Sequence, residues 1–301
     1  MRQFIKRTAT FSTLILALLI AAEVYVEQLP NPARDKHQWM LKHSREVETL
    51  ILGSSHTFYG IRPDVLGHRA YSLAMVSQTY RYDAYLLQHY DMPRLKTVIV
   101  PFSYFSLWED IDTQEDLEFE ATRYRLYMDC PLHPRWGMYG FEFMHMDAFK
   151  EKLKSLYQTP HLSWDQYGWG TNYTLSSRLA DWDNGKERAR RNTYADHNDH
   201  VALNATYLEE IAAFCKKNGV KLILVTTPVS HKFFHNEDWY QRAVNTQVLK
   251  RLLKIHPEVH YLNIERTPDF VADDFYDADH LNGDGARKLS IIIRDFIEDK
   301  V

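Results

Sequence analysis

Three side chains have the types and the order that acyl transfer requires. Ser55 lies in ETLILGSSHTFYGIRP, residues Glu48 to Pro63; Asp277 and His280 lie in FYDADHLNGDGARKL, residues Phe275 to Leu289. A serine hydroxyl is a weak nucleophile until a base takes its proton, and an imidazole base needs a carboxylate to fix its tautomer and stabilise the imidazolium. Asp277 precedes His280 by three residues, so one turn of chain can fold its carboxylate back onto Nδ1–H; Asp279 is the weaker choice, because adjacent side chains normally diverge. Each piece also has a plainer reading. Ser54 or Ser55 can cap a helix after Gly53 breaks a strand, and His280 can be a satisfied loop histidine. Only the combination carries chemistry.

Those residues must be held by a frame. The apolar run Leu50-Ile51-Leu52 predicts a strand over Val47 to Leu52, with Gly53 at its end. Further strand signals fall at Ala70 to Ala74, Lys96 to Phe102, Lys221 to Thr227 and in HYLNI. Helical spacing separates them: Tyr80 to Tyr90, the stretch YLEEIAAFCKKNG with a C-cap at Gly219, about Asp238 to Ile255, and Gly283 to Glu298. This alternation predicts an α/β fold built on a mostly parallel sheet. Residues 104–200 break the pattern. They include HPRWGMYGFEF and DQYGWGTNYT and show no period, so they read as an insertion over the active face, with a small separate domain as the alternative.

The N-terminus is an export signal in form. Arg2, Lys6 and Arg7 precede TATFSTLILALLIAAEVYV, and Ile20-Ala21-Ala22 is a poor cleavage site, which favours an uncleaved anchor. Residues 1–30 are therefore expected to form a basic cytoplasmic start and one transmembrane helix, followed by the linker EQLPNPARDK. Residues 31–301 then form an extracytoplasmic domain of a single-pass membrane protein. A buried core helix of a cytosolic protein is the alternative.

Composition narrows the partners. A formal net charge of −4 gives no basic surface for nucleic acid. Two cysteines, Cys130 and Cys215, exclude a disulfide-dense scaffold and a thiolate metal cluster, and leave one disulfide or two free thiols open. DHNDH, with His197 and His200, reads as a solvated turn rather than a metal site, and counting twelve from Asp277 reaches Lys288 where a calcium loop needs Glu. No cofactor or metal is expected. Asn172 and Asn204 stand in glycosylation sequons.

Gly53-Ser54-Ser55 after the first strand, with Asp277-x-x-His280 before the last helix, resembles the SGNH (GDSL-type) hydrolase and acyltransferase superfamily. The resemblance implies a three-layer flavodoxin-like fold with Ser55 as nucleophile, His280 as general base and Asp277 as its orienter. The anchored ectodomain most resembles the exported branch that holds alginate O-acetylation and teichoic-acid D-alanyl transfer proteins. That implies transfer of an acyl group, acetyl in the first instance, to a glycan hydroxyl through an acyl-serine, beside a multi-spanning partner of the MBOAT type. An esterase of the same fold and a non-catalytic glycan-binding or scaffold protein are the alternatives. The chain departs from the family pattern at Ser54, which replaces Asp, and in lacking the second-block glycine and third-block asparagine. Oxyanion donors must come from the Ser55 amide and from Ser72, Gln78 or Ser103. His56 is not expected to serve as base; it lines the cleft, holds the acyl carbonyl, or is a surface histidine.

Overall fold

The computed structural model describes residues 1–113, 118–131, 163–194 and 198–299. Five strands, β1 (Thr49–Ile51), β2 (Ala70–Ser72), β3 (Thr97–Pro101), β4 (Lys221–Thr226) and β5 (His260–Asn263), form one parallel sheet in the order 2-1-3-4-5. That is the flavodoxin-like doubly wound order, in which the chain reverses direction across the sheet between β1 and β3. β1 to β4 are buried on both faces, whereas the edge strand β5 is partly exposed.

Alternation along the strands sorts the core into two layers. Leu50, Val98, Val100, Leu222 and Leu224 point to one face; Ile51, Ile99, Ile223 and Val225 point to the other. The first face is covered by α2 (Pro32–His43), α5 (Tyr80–His89), α8 (Asn198–Asn218) and α10 (Trp239–Ile255), through Met40, Leu86, Leu208, Ile211 and Leu252 among others. The second is covered by α3 (Ser55–Gly60) and α11 (Gly283–Ile297), through Phe58, Leu289 and Ile293. The result is the expected three-layer α/β fold. Shorter helices, α4 (Pro63–Leu66), α6 (Glu118–Tyr127), α7 (Gly185–Arg191) and α9 (His231–His235), complete the described chain.

The N-terminal helix α1 (Arg2–Glu27) is long and apolar enough to cross a membrane, and only 11% of its most apolar window is buried. Phe4, Phe11, Leu14 and Leu18 are exposed on it, unlike the side chains of a core helix.

Two expectations need correction. EQLPNPARDK is not an open linker: Asn31 caps α2 by accepting from the amides of Ala33 and Arg34, and Lys36 is fully buried, its ammonium on the Ala74 carbonyl and over the Phe58 ring. DHNDH is not a solvated turn. His197 lies outside the described residues, but His200 is buried on α8, with Nδ1 on the Trp108 carbonyl at 3.1 Å. The sequon residue Asn204 is also buried there, its amide donating to the carbonyls of Leu107 and Glu109. Docking of this helix on residues 107–109 outweighs the polar character that suggested a turn. HPRWGMYGFEF falls outside the described residues. Cys130 and Cys215 are both free thiols, and burial raises the Cys215 thiol to about 12.

Gly53 is required by geometry. Its φ is +102°, and a Cβ there would lie 2.1 Å from Cδ of Pro101 on β3. Backbone strain of about 1–3 kcal/mol adds to overpacking of about 1–3 kcal/mol. Gly53→Ala is therefore expected to destabilise the protein by at least ~2 kcal/mol, read as a lower urea midpoint by tryptophan fluorescence of the full chain in detergent. An unchanged midpoint would contradict this packing.

Candidate active site

The site is built from the carboxyl end of β1 outward. Gly53 donates its N–H to Asp83 Oδ1 (2.8 Å), and its carbonyl accepts from the Met75 amide (3.0 Å). Asp83 is buried, and burial pushes its carboxyl up to about 7 despite the hydrogen bonds from Gln78 and Gly53. The turn thus pinned delivers Ser55 as the first residue of α3. Ser54 is the N-cap but makes no side-chain capping bond, and its buried hydroxyl has no partner among the described residues. The serines here are therefore not serving as hydroxyl caps, and Ser55 is left half-buried with its hydroxyl toward the loop before α11.

That loop is tight. Phe275 and Leu281 bridge, the Tyr276 amide donates to the His280 carbonyl (2.9 Å), and Asn282 caps α11 by accepting from the amides of Asp284 and Gly285. Inside the turn, Asp277 Oδ1 accepts the backbone N–H groups of Asp279 (3.0 Å) and His280 (2.8 Å), which turns its carboxylate back over the ring. His280 Nδ1 then lies 2.9 Å and 3.0 Å from the two Asp277 oxygens, and Nε2 lies 2.8 Å from Ser55 Oγ. In the neutral ring, with Nδ1–H committed to Asp277, Nε2 holds the lone pair and Ser55 donates to it. This arrangement can carry the serine proton to the imidazole.

A second layer surrounds the histidine. Asp279, fully buried, does not diverge as the sequence suggested: its Oδ1 lies 3.3 Å from His280 Nδ1, and it accepts from Arg188 Nε (2.7 Å), Asn192 Nδ2 (2.9 Å) and His56 Nε2 (3.3 Å). His56 is buried too, which corrects the surface alternative. Its Nδ1 faces Ser103 Oγ (2.7 Å) and Thr227 Oγ1 (3.2 Å), and its ring stands edge-on to His280 at 4.9 Å. Burial pushes His56 below its ordinary value, helped by the positive charges of His280 and Arg188. It is therefore neutral, with Nε2–H donated to Asp279 and Nδ1 accepting a hydroxyl proton.

The two carboxylates decide the charge of His280. Burial alone would lower its pKa, but the charges and hydrogen bonds of Asp277 and Asp279 outweigh burial and raise it to about 9. Burial would conversely raise Asp279; His280, His56 and Arg188 hold it well below the carboxylate range instead.

Other candidate residues divide. Ser103 is engaged with His56. Gln78 is a strut, donating to Asp83 Oδ1 (2.6 Å) and accepting from the Tyr124 hydroxyl (2.8 Å). Ser72 is fully buried on β2, opposite Ile51, and its hydroxyl has no partner among the described residues. Neither Ser72 nor Gln78 bonds to Ser55.

Part of the 104–200 stretch closes over this end of the sheet. Within DQYGWGTNYT, the Tyr167 carbonyl accepts from the Ser72 amide, the Gly170 amide donates to the Phe58 carbonyl, and the Trp169 indole donates to the Tyr59 carbonyl (2.8 Å). Tyr173 stacks between Tyr59 (3.6 Å) and Tyr276 (3.8 Å), forming a wall beside the His280 ring. Arg188 and Asn192 come from the same stretch. Sequence reasoning missed both, since a short basic helix carries no periodic or motif signal that pairs it with Asp279.

Comparisons with known proteins add the following. One protein-family model, which carries no descriptive name, matches residues 177–301. No curated protein matches the chain. Among solved structures, the chain is similar to a GDSL-like lipase from Bacteroides thetaiotaomicron, at 12% identity and a TM-score of 0.43, covering 90% of this chain and 100% of that one. It is also similar to a proposed platelet activating factor from Streptococcus pneumoniae (10% identity, TM-score 0.44, 96% and 99% covered). A proposed arylesterase from Agrobacterium tumefaciens is similar at 12% identity and a TM-score of 0.33, with 85% and 100% covered.

Proposed function

We propose that the protein is a serine-dependent enzyme of the SGNH type acting on ester-linked acyl groups. The observation that carries the proposal is the continuous array Ser55 Oγ–His280–Asp277, with both contacts within hydrogen-bond distance. Ser55 Oγ attacks the ester carbonyl carbon while its proton passes to His280 Nε2. The oxyanion so formed is met by the Ser55 amide, one of the first-turn helix amides that have no intrahelical partner. On collapse the carbon–oxygen bond to the leaving group breaks, His280 returns the proton to the departing alkoxide, and acyl-Ser55 remains. A second hydroxyl then takes the acyl group with the same proton shuttle: water in an esterase, a sugar in a transferase.

We favour a glycan hydroxyl as acceptor. The half-buried Tyr276 at the end of the Tyr59–Tyr173–Tyr276 stack beside His280 supports this, because an aromatic face left at the end of a stack can pack on the apolar face of a sugar ring. In the same reading α1 is the membrane anchor, the domain lies outside the cytoplasm, and an MBOAT-type membrane acyltransferase supplies the acyl group. The esterase differs only in the acceptor, whereas a glycan-binding scaffold would leave the Ser55 hydroxyl unused.

Incubation with an activated acetyl ester is expected to give an acetyl adduct that maps to Ser55 by intact-mass and peptide analysis. Ser55→Ala and His280→Ala are each expected to abolish it and to lower ester turnover at least ~10³-fold. Turnover equal to wild type in Ser55→Ala would overturn the proposal. Oligosaccharide added to the acylated protein separates transfer from hydrolysis.

The charge of His280 sets the pH dependence. A base works only in its neutral form, and a value raised to about 9 leaves roughly one molecule in a hundred neutral at pH 7. Turnover corrected for the Ser55→Ala background is expected to climb with pH and level off only above about 9. Asp279→Asn removes one of the raising charges and is expected to shift that limb to lower pH by about one pH unit or more. An unshifted limb would remove Asp279 from the electrostatics of the base.

A further inference from the structure

A second cluster of metal-ligating side chains lies apart from Ser55 and shares no residue with its site. His37 on α2, His89 at the end of α5, and Asp129, two residues beyond α6, converge so that one ligand atom from each lies within 4.8 Å of the others. His37 Nε2 is 3.4 Å, and His89 Nε2 3.9 Å, from the same oxygen, Asp129 Oδ2. Zinc held at about 2.0–2.2 Å by nitrogen and oxygen ligands in a tetrahedron puts neighbouring ligand atoms about 3.3–3.5 Å apart. One edge already has that length, the second needs a shift of roughly half an ångström, and the third, between the two imidazoles, lies within 4.8 Å and closes as the ligands draw in.

The outer hydrogen bonds orient the rings for this purpose. Tyr85 Oη donates to the Met128 carbonyl (3.1 Å), and a phenol has one proton. The same hydroxyl lies 3.0 Å from His89 Nδ1 and can accept from Nδ1–H, the tautomer that places the Nε2 lone pair toward Asp129 Oδ2. His37 Nδ1 is likewise on a tyrosine hydroxyl, Tyr90 Oη, at 2.9 Å. Ligating histidines characteristically give their second nitrogen to such a partner, which fixes the tautomer.

We propose that His37, His89 and Asp129 form a binding site for a divalent transition cation of the zinc class. Imidazole and carboxylate ligands suit such ions better than calcium or magnesium, which prefer all-oxygen sites. Asp129 is 69% exposed on its side chain, so the ion has a solvent path and keeps water in its remaining position. Bound there, the ion ties the end of α6 to α2 and α5. No local motif announces this site, because its three ligands come from well-separated segments.

The test uses the full chain in detergent, stripped with a chelator and titrated with Zn²⁺ by calorimetry and with Co²⁺ by visible absorption. One equivalent of zinc and a tetrahedral cobalt spectrum are expected from wild type. Asp129→Asn and His89→Gln are each expected to weaken zinc at least tenfold, and Tyr85→Phe by about tenfold. His56→Gln, in the separate His56–Asp279–His280 group, is expected to leave that affinity unchanged. Asn accepts the left-handed backbone of residue 129 (φ 55°) and the position is exposed, so Asp129→Asn folds as wild type and is the deciding variant. No binding by wild type, unchanged affinity in Asp129→Asn, or equal loss in His56→Gln would each overturn the proposal; the last would move the ion to the other histidine group.

Discussion

Gly53 approaches Pro101 more closely than any side chain permits, and the rest of the site depends on that contact. Because β1 and β3 are neighbours at the point where the sheet reverses direction, the turn after β1 must pass directly over β3 to enter α3. A methyl group at position 53 would lift the turn and move Ser55 away from His280, which reaches it from the other end of the chain. The hydrogen bond from the Gly53 amide to Asp83 and the bond accepted by its carbonyl from Met75 hold the turn down. The single serine hydroxyl is therefore placed by backbone packing, not by contacts of its own.

Around His280 the balance is electrostatic. One carboxylate bonding to Nδ1 would suffice to fix the tautomer. The structure adds a second, Asp279, buried and surrounded by Arg188, Asn192 and His56. A buried carboxylate without those partners would be protonated or expelled; with them it keeps its charge and adds to the field that favours the imidazolium. The ring is then a strong base that spends most of its time already protonated at neutral pH. Proton affinity and proton availability pull in opposite directions, and the Asp279 surroundings are where that balance is set.

The fold was largely legible. Strand positions followed from short apolar runs, the first ending at Gly53, and the helix end at Gly219 from capping chemistry that acts within a few residues. Asp277 with His280 was legible for the same reason: three residues apart, they form a local turn with its own hydrogen bonds. What escaped was tertiary. Asp279 looked wrong because neighbouring side chains usually diverge, but Asp277 is curled back by two amide bonds and leaves Asp279 free to turn inward toward Arg188. Lys36, buried on an aromatic ring and a carbonyl, reads as a linker residue in any local window. His200 and Asn204 looked solvated because their burial depends on carbonyls about a hundred residues earlier in the chain.

The join between α1 and α2 has a mechanical meaning. Val26 and Glu23 are buried, Arg34 donates to the Glu27 carbonyl, and Asn31 starts α2 almost at once. Under the proposed anchoring through α1, a chain leaving the bilayer here would have little slack, and the domain would act as a lever rather than a body on a leash. Its reactive end would stay at one height and one attitude above the lipid surface. A tethered enzyme sweeps a volume to find substrate; a rigid one waits at a fixed station, and whatever it modifies must be brought past it.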